Sequence, residues 1–242
     1  QISINKNSLL KFSCINNFYL HLSTKYIFMQ DALIVAGFRT AVAKSKKGGF
    51  RFFRPDDLAV EVIKGIMATV PQLGYKRIDD VIVGNAVPEA EQGLQFGRII
   101  AAKALGIEVP GITINRYCAS GLEAIAMATA KIRTGMADCI IAGGTESMSL
   151  VPTAGWKTVP SYAIAKDEPD FYLSMGLTAE AVSKEFNINR ADQDEFAYHS
   201  HRKAAIAIQE GYFKSGILPI NVEETYLNEK GKKAVRNYVV DT

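Results

Sequence analysis

A cysteine at a predicted strand-to-helix turn is the feature of this sequence best suited to chemistry. Cys118 follows a short β-branched run at 111–115 and precedes a long apolar, helix-forming run at 121–134. This pattern predicts a buried strand and then a helix that Gly135 ends. A thiol at such a turn faces unpaired backbone N–H groups and the positive end of the helix dipole, which favour the thiolate. Cys118 is therefore predicted to be a nucleophile.

The remaining cysteines and the histidines have ordinary structural interpretations. Cys139 lies in the middle of an apolar run at 138–142, as expected for a small buried residue. Three scattered cysteines argue against a disulfide framework and against a CxxC metal site, and they favour a reducing compartment. His199 and His201 are two positions apart on a predicted helix, so they point to different faces and cannot bind one metal ion. We predict no metal site.

Strands and helices alternate in the first part of the chain. Apolar runs predict strands at 31–36, 80–84 and 138–142, and periodic patterns predict helices from Pro55 to about Val70 and from Gln95 to Leu105. This alternation predicts an α/β fold with largely parallel pairing. After Leu150, prolines and glycines interrupt the chain before two predicted helices near 176–186 and 190–210 and a short extended segment at 217–222.

Several stretches of this sequence match motifs of one enzyme family, in the same order. They are the Asn-Arg-Tyr-Cys-Ala-Ser-Gly stretch at 115–121, the Ala-Gly-Gly-Thr-Glu-Ser-Met-Ser stretch at 142–149, and the stretches at 37–42, 174–180 and 189–213. From about Asp31 to its end the chain resembles the thiolases, which make or cleave 3-oxoacyl-coenzyme A. Cys-Ala-Ser alone would be unspecific, whereas several ordered matches are specific.

The resemblance implies roles for three residues. Cys118 corresponds to the cysteine that carries the acyl group. Met175 corresponds to a residue beside the pantetheine of coenzyme A, and the alternative is that it packs under the start of a helix. Ser120 corresponds to a serine of the substrate site, and the alternative is a hydroxyl that caps the helix. The resemblance implies no cofactor, because coenzyme A thioesters are the substrates.

The resemblance also implies that part of the catalytic machinery lies elsewhere. Thiolases supply a base, oxyanion sites and a second thiol from Asn-Glu-Ala-Phe, Gly-His-Pro and Cys-x-Gly motifs, and none of the three occurs in these 242 residues. The chain is therefore expected to be an inactive fragment of a thiolase-like layered βαβαβ fold. Its expected parts are the N-terminal domain at 29–149, without its last strand, and a truncated loop domain at 150–242 that covers coenzyme A.

Residues 1–28 differ in composition from the rest. They contain no acidic residue and no arginine, and they are crowded with Asn, Lys, Ile, Phe, Tyr and Ser. We expect a non-native or leader segment, with the true start at Met29. The expected location is then cytoplasmic. The alternative is a transit peptide, which would place the protein in the mitochondrial matrix.

The resemblance leaves several functions open. The residues around Cys118 favour a degradative thiolase of fatty-acid β-oxidation, with a biosynthetic acetoacetyl-CoA thiolase or a non-catalytic lipid-carrier relative as alternatives. A decarboxylating 3-oxoacyl carrier protein synthase fits less well, because those enzymes lack the helix that matches 174–186. The expected partners are acyl-CoA and CoA, with a homodimer or homotetramer when the protein is complete.

Charge and hydropathy give no sign of nucleic acid or membrane partners. The 28 basic side chains include three lysines in residues 1–28, so the 25 that follow equal the 25 acidic ones. The body of the chain is formally neutral, and no basic footprint for nucleic acid is expected. No apolar run is long enough to span a bilayer. Lysines 44, 46 and 47 beside two glycines fit no Walker pattern, and a surface loop is expected there.

Overall fold

The computed structural model describes residues 30–241, so the predictions for residues 1–28 and for the start at Met29 lie outside the described part of the chain. The helices are α1 (Pro55–Thr69), α2 (Phe96–Leu105), α3 (Ser120–Arg133), α4 (Tyr162–Asp167), α5 (Met175–Glu185) and α6 (Arg190–Gln209). The strands are β1 (Asp80–Gly84), β2 (Gly111–Ile114), β3 (Ile140–Gly144), β4 (Ile220–Leu227) and β5 (Lys233–Val240).

A three-stranded parallel sheet with helices packed on it positions the cysteine. The strand order is β2-β1-β3, and Val81 of β1 lies opposite Gly111 of β2 and Ile141 of β3. All five residues of β1 are buried, as expected for a central strand covered on both faces. Apolar side chains of α1, α2 and β1 form the main core beneath it. The predicted α/β class with parallel βαβ units is confirmed.

Helix α2 lies directly against strand β2, backbone to backbone. A Cβ atom on Gly97 of α2 would lie 2.1 Å from the carbonyl oxygen of Ile112. A Cβ atom on Gly111 of β2 would lie 2.5 Å from the carbonyl oxygen of Gly97. Only glycine permits this approach, because any side chain would force the two elements apart. The pair sets the distance between α2 and the strand that leads to Cys118.

The predicted strand at 31–36 is wrong. These residues have no regular secondary structure, and Leu33, Ile34 and Val35 are about four-fifths exposed. A strand forms only where its backbone pairs with a neighbour, and the run at 31–36 pairs with neither outer strand of the β2-β1-β3 sheet. An apolar run alone does not determine a strand when no neighbouring strand pairs with it.

The predicted extended segment at 217–222 is the beginning of an antiparallel hairpin. Strands β4 and β5 pair along their whole length, from Ile220 opposite Val240 to Leu227 opposite Lys233. The hairpin packs against apolar residues that precede and begin α1, and the buried members of this second core are Ala41, Phe50, Leu58, Ile220 and Val222. Residues 220–240 therefore pack with the first part of the chain.

The segment between the two packed regions is helical and exposed. Helices α5 and α6 confirm the helices predicted near 176–186 and 190–210, and Ser174 and Asn189 cap them through side-chain oxygens. After Val151, which is 2% exposed, no residue is buried until Ile220. The burial pattern thus changes close to Leu150, where the domain boundary is predicted.

Candidate active site

Cys118 lies in the short turn that connects β2 to α3. Helix α3 begins at Ser120, and Ala119 is its N-cap residue, so the cysteine immediately precedes the helix. The thiol is exposed. A helix N-terminus presents backbone N–H groups without intrahelical partners and the positive end of the helix dipole, an arrangement that stabilises an anion. The predicted position of Cys118 at a strand-to-helix turn is confirmed, and its role remains a prediction.

The turn has an unusual backbone at the residue before the cysteine. Tyr117 has a φ of 45°, in the left-handed region that residues with a Cβ atom rarely adopt. Ser120 stabilises this turn from the helix side: its hydroxyl accepts a hydrogen bond from the Arg116 amide at 2.8 Å and donates one to the Tyr117 carbonyl at 2.6 Å. Ser120 is 4% exposed. The Ser120 hydroxyl therefore holds the turn before α3 and caps none of the free N–H groups of the helix, while its contact with substrate stays a prediction.

Asn115 stabilises the same turn from the strand side. Its Oδ1 accepts a hydrogen bond from the Tyr117 amide at 2.8 Å. Its Nδ2 donates a hydrogen bond to the carbonyl oxygen of Ala86 at 2.9 Å, just beyond the end of β1. One carboxamide therefore connects the cysteine turn to the neighbouring strand. Asn115 belongs to the family motif at 115–121, but no role for its side chain was predicted from the sequence.

A partly buried polar cluster lies beside this connection, where β1 and β3 end. Glu146 accepts hydrogen bonds from the Ala86 amide at 2.7 Å, from Asn85 Nδ2 at 3.2 Å and from Gln92 Nε2 at 2.5 Å. Gln92 in turn accepts a hydrogen bond from the Ser147 amide at 2.6 Å. Asn85 and Gln92 are fully buried. This cluster was not predicted from the sequence, although Glu146 and Ser147 belong to the motif at 142–149.

Two further contacts hold the start of α3. Arg116 pairs through two nitrogen atoms with Glu123, at 2.7 and 3.1 Å, and the carboxylate raises the pKa of the guanidinium. Gly84 at the end of β1 lies so close to α3 that a Cβ atom there would be 2.5 Å from the backbone carbonyl carbon of Ser120. The first turn of α3 thus rests on the end of β1.

Cys139 has a different environment from Cys118. It is half-buried against the main core, and burial raises the pKa of its thiol, as does the nearby negative charge of Asp79. Asp79 itself accepts hydrogen bonds from the amides of Asp138 and Cys139, which hold its pKa below the usual range. These effects keep Cys139 protonated and unreactive near neutral pH.

Met175 is the first residue of α5, and it is 73% exposed. It therefore does not pack under the helix start, the alternative weighed for it from the sequence. The described contacts place no residue of α5 in the polar cluster or in the cysteine turn. The ligand role of Met175 stays a prediction.

The histidines on α6 match their structural interpretation. Both are exposed, and His199 lies 3.6 Å from Glu195 on the same helix. Within residues 30–241 no group of three His, Cys, Asp or Glu side chains is arranged to hold a metal ion. Among the helices of that same part of the chain, none has the length and apolar character required to cross a membrane.

Comparison with known proteins agrees with this geometry. The family model described as "Thiolase, N-terminal domain" matches residues 32–238. The 3-ketoacyl-CoA thiolase of Bacillus subtilis (strain 168) is 48% identical over 213 residues, covering 87% of this chain and 54% of that protein. The peroxisomal 3-ketoacyl-CoA thiolase 5 of Arabidopsis thaliana is 37% identical, covering 86% of this chain and 46% of that protein.

A solved structure gives the same result for the fold. The crystal structure of the Bacillus anthracis acetyl-CoA acetyltransferase superposes with a TM-score of 0.69 at 28% sequence identity, covering 87% of this chain and 55% of that one. The present chain thus spans about half the length of these relatives. A family match over most of the chain, together with this shared fold, leads to one conclusion: the chain belongs to the thiolase family.

Proposed function

We propose that this chain contributes the nucleophile of an acyltransferase that forms or cleaves 3-oxoacyl-CoA through an acyl group on Cys118. The observation that carries the proposal is the exposed thiol of Cys118 directly before α3, in a turn that side chains on both flanks hold. Membership of the thiolase family and the names of the relatives support the same chemistry.

The proposed reaction has two steps. In the first step the Cys118 thiolate attacks the thioester carbonyl of an acyl-CoA, the acyl–sulfur bond to CoA breaks, and CoA leaves as a thiolate that takes up a proton. In the second step a base removes an α-proton from another thioester, and the carbanion attacks the acyl group on Cys118. A carbon–carbon bond forms and the Cys118 thiolate leaves. Cleavage of a 3-oxoacyl-CoA is the same path in reverse.

This scheme assigns the missing groups to residues beyond the present chain. The base, the second thiol and the oxyanion donors are those that the resemblance places in the three motifs absent from this sequence. We accordingly propose that catalysis requires the additional length seen in the relatives, about half of which this chain spans. The chain alone should show no turnover.

For the substrate we favour degradative cleavage of 3-oxoacyl-CoA esters. The two relatives compared above are both named 3-ketoacyl-CoA thiolases, which supports this direction. The alternative is biosynthetic condensation of two acetyl units, supported by the name of the structural relative, an acetyl-CoA acetyltransferase. Thiolysis rates of the complete protein on acetoacetyl-CoA and on longer 3-oxoacyl-CoA esters separate the two, since the degradative proposal expects the longer esters to be cleaved efficiently.

The test of the nucleophile is to trap the acyl group. Brief incubation of the complete protein with acetyl-CoA, followed by digestion and mass spectrometry, should show an acetyl group on the peptide that contains Cys118. Cys139→Ser is the matched control and should leave this adduct unchanged, because burial raises the pKa of Cys139 and keeps that thiol protonated. Turnover that survives in Cys118→Ala would remove Cys118 from the mechanism.

The same experiment addresses the non-catalytic alternative. A lipid-carrier relative would bind acyl-CoA without forming the adduct. An intact Cys118 peptide after incubation, together with measurable acyl-CoA binding, would therefore favour the carrier. Binding of acyl-CoA by a carrier does not require an exposed thiol at a helix start, whereas formation of an acyl group on cysteine does. For this reason we favour the enzyme.

A further inference from the structure

The backbone before Cys118 requires external support. Tyr117 adopts a φ of 45°, and a residue with a Cβ atom is disfavoured in this region because the Cβ atom approaches the backbone. Such a conformation persists only when its surroundings hold it. The direction of the Cys118 side chain depends on this peptide unit, because Cys118 follows Tyr117 directly.

Two side chains hold the polar backbone groups of Tyr117. The Asn115 carboxamide accepts a hydrogen bond from the Tyr117 amide at 2.8 Å, and the Ser120 hydroxyl donates one to the Tyr117 carbonyl at 2.6 Å. Ser120 also accepts a hydrogen bond from the Arg116 amide at 2.8 Å. The turn is thus held from the strand side and from the helix side at once.

The support on the strand side extends into the sheet. Asn115 Nδ2 donates to the carbonyl oxygen of Ala86 at 2.9 Å, and the Ala86 amide donates to Glu146 at 2.7 Å. Glu146 follows the end of β3 and is held by the buried side chain of Gln92. A continuous series of hydrogen bonds therefore connects the ends of β1 and β3 to the residue before Cys118.

From this arrangement we propose that Asn115 and Ser120 are positioning residues for the Cys118 nucleophile. Each acts through the backbone of Tyr117, so the two side chains direct the sulfur toward the start of α3 without taking part in bond making. The proposal rests on the proposed function of Cys118. It predicts that the reactivity of the thiol depends on both side chains and not only on its exposure.

The test is the rate at which iodoacetamide alkylates Cys118, followed by mass spectrometry of the complete protein, with Cys139 of the same molecule as the internal reference. Asn115→Ala and Ser120→Ala should each slow labelling of Cys118 about tenfold while labelling of Cys139 is unchanged, as expected when hydrogen bonds that hold the turn are lost. Asn228→Ala is the matched control. Its side chain caps the hairpin turn far along the chain, accepting from the amides of Lys230 and Lys232, and this variant should leave the rate for Cys118 unchanged.

Conservative variants keep the test decisive if an alanine variant does not fold. Ser120→Thr retains the hydroxyl and should restore labelling to within about twofold of the unmodified protein. Asn115→Asp retains the acceptor for the Tyr117 amide but loses the donor to Ala86, and it should label at an intermediate rate. In turnover assays the same variants should lower kcat and leave KM nearly unchanged, as expected for groups that orient the nucleophile.

Three results would overturn the proposal. The first is an alkylation rate of Cys118 that is unchanged or faster in both alanine variants. The second is a faster alkylation rate of Cys139 in the same variants, which indicates general loosening of the fold. The third is a failure of Ser120→Thr to restore the alkylation rate of Cys118. Failure of the proposed function is a separate result, namely turnover that survives in Cys118→Ala. The alkylation rates require no turnover, so they test the positioning role in either case.

Discussion

Two regions of this molecule, residues 55–151 and residues 152–219, are built differently although both contain many large apolar side chains. Residues 55–151 form a sheet and three helices around a core in which Phe96, Ile82 and Ile100 are fully buried. Residues 152–219 form three helices, none of which has a buried residue. Large apolar side chains such as Phe196 and Trp156 are about two-thirds exposed or more in the second region. The first region has its own core, whereas the helices of the second leave their apolar side chains in solvent.

The comparison bears on the candidate site. Every side chain that holds the Cys118 turn belongs to the first region, and Met175 belongs to the second. Exposed apolar surface of this extent commonly marks a binding or interaction surface. Cys118 thus lies in the region that has its own core, while the region that contains Met175 has no buried residue between 152 and 219.

The largest expected difference in the free energy of unfolding comes from replacing one phenylalanine with alanine in each region. Phe96→Ala should lower the free energy of unfolding by about 3–5 kcal/mol, because the fully buried ring leaves a cavity. Phe196→Ala should change it by less than about 0.5 kcal/mol, because that ring is 78% exposed. Urea unfolding of the two variants checks this difference. Equal losses would show that α6 packs as tightly as α2.

A second pair of variants tests backbone contact. Gly97→Ala should destabilise the protein by about 1–3 kcal/mol, because the new Cβ atom would overlap the Ile112 carbonyl. Gly176→Ala in α5 should be neutral or stabilise by up to about 1 kcal/mol, since the nearest atom to its Cβ is 3.9 Å away and alanine favours helix. Thermal unfolding measures both. A stabilising effect of Gly97→Ala would contradict the close approach of α2 and β2.

The pH dependence of stability should depend on Asp56 at the start of α1. Burial by itself raises the pKa of Asp56, but hydrogen bonds from Lys103 and Arg54 outweigh it and hold the pKa below its usual range. Because the folded pKa is lowered, the stabilisation is present above the unfolded value of about 3.9 and is lost as the pH falls through the folded pKa.

Asp56→Asn should therefore cost about 1–2 kcal/mol near pH 7 and progressively less below about pH 4. Unfolding curves collected between pH 7 and pH 3 measure the effect. Asp194→Asn, which breaks an exposed pair with Arg190 in α6, is the control and should cause no measurable change at any pH. A constant cost of Asp56→Asn across this range would show that the charge of Asp56 is not responsible.

The smallest effect is expected at Met175. Met175→Ala should leave stability unchanged, because the side chain is 73% exposed, and it should raise KM for CoA about two- to fivefold with little change in kcat. Met175→Leu, which retains an apolar side chain of similar size, should behave like the unmodified protein. Steady-state thiolysis by the complete protein provides the measurement. An unchanged KM for CoA in Met175→Ala would contradict the proposed contact between Met175 and coenzyme A.

The sequence predicted those elements whose signals are local. Pro55 with two following acids indicated the start of α1, Gly106 the end of α2, and the apolar period after Cys118 the extent of α3. The position of Cys118 at a turn followed from these signals. Each element could be recognised from its own residues alone.

Features that depend on distant partners could not be predicted in this way. The apolar run at 31–36 has the pattern of a strand, but it pairs with neither outer strand of the sheet. Strand β5 alternates only weakly, and it forms because β4 lies opposite it. The contact of Asn115 with Ala86 joins residues 29 positions apart, and that of Glu146 with Ala86 spans 60. No local pattern encodes such pairings.

The attachments of the helical region have a consequence for how this protein can vary. At one end of that region, Ser45 Oγ donates to the Met148 carbonyl and the Lys46 amide donates to Ser149. At the other end, the Arg39 amide donates to the Gly216 carbonyl and the Leu218 amide to the Arg39 carbonyl.

Both ends of the helical region are thus hydrogen-bonded to residues 39–46, a stretch that spans at most about 25 Å. Residues 150–215 therefore form a loop whose two ends are held together by their hydrogen bonds to residues 39–46. Because closure entropy grows only logarithmically, doubling such a loop costs about 0.6 kcal/mol. This segment can therefore be lengthened, shortened or exchanged with little thermodynamic penalty to the scaffold that holds Cys118.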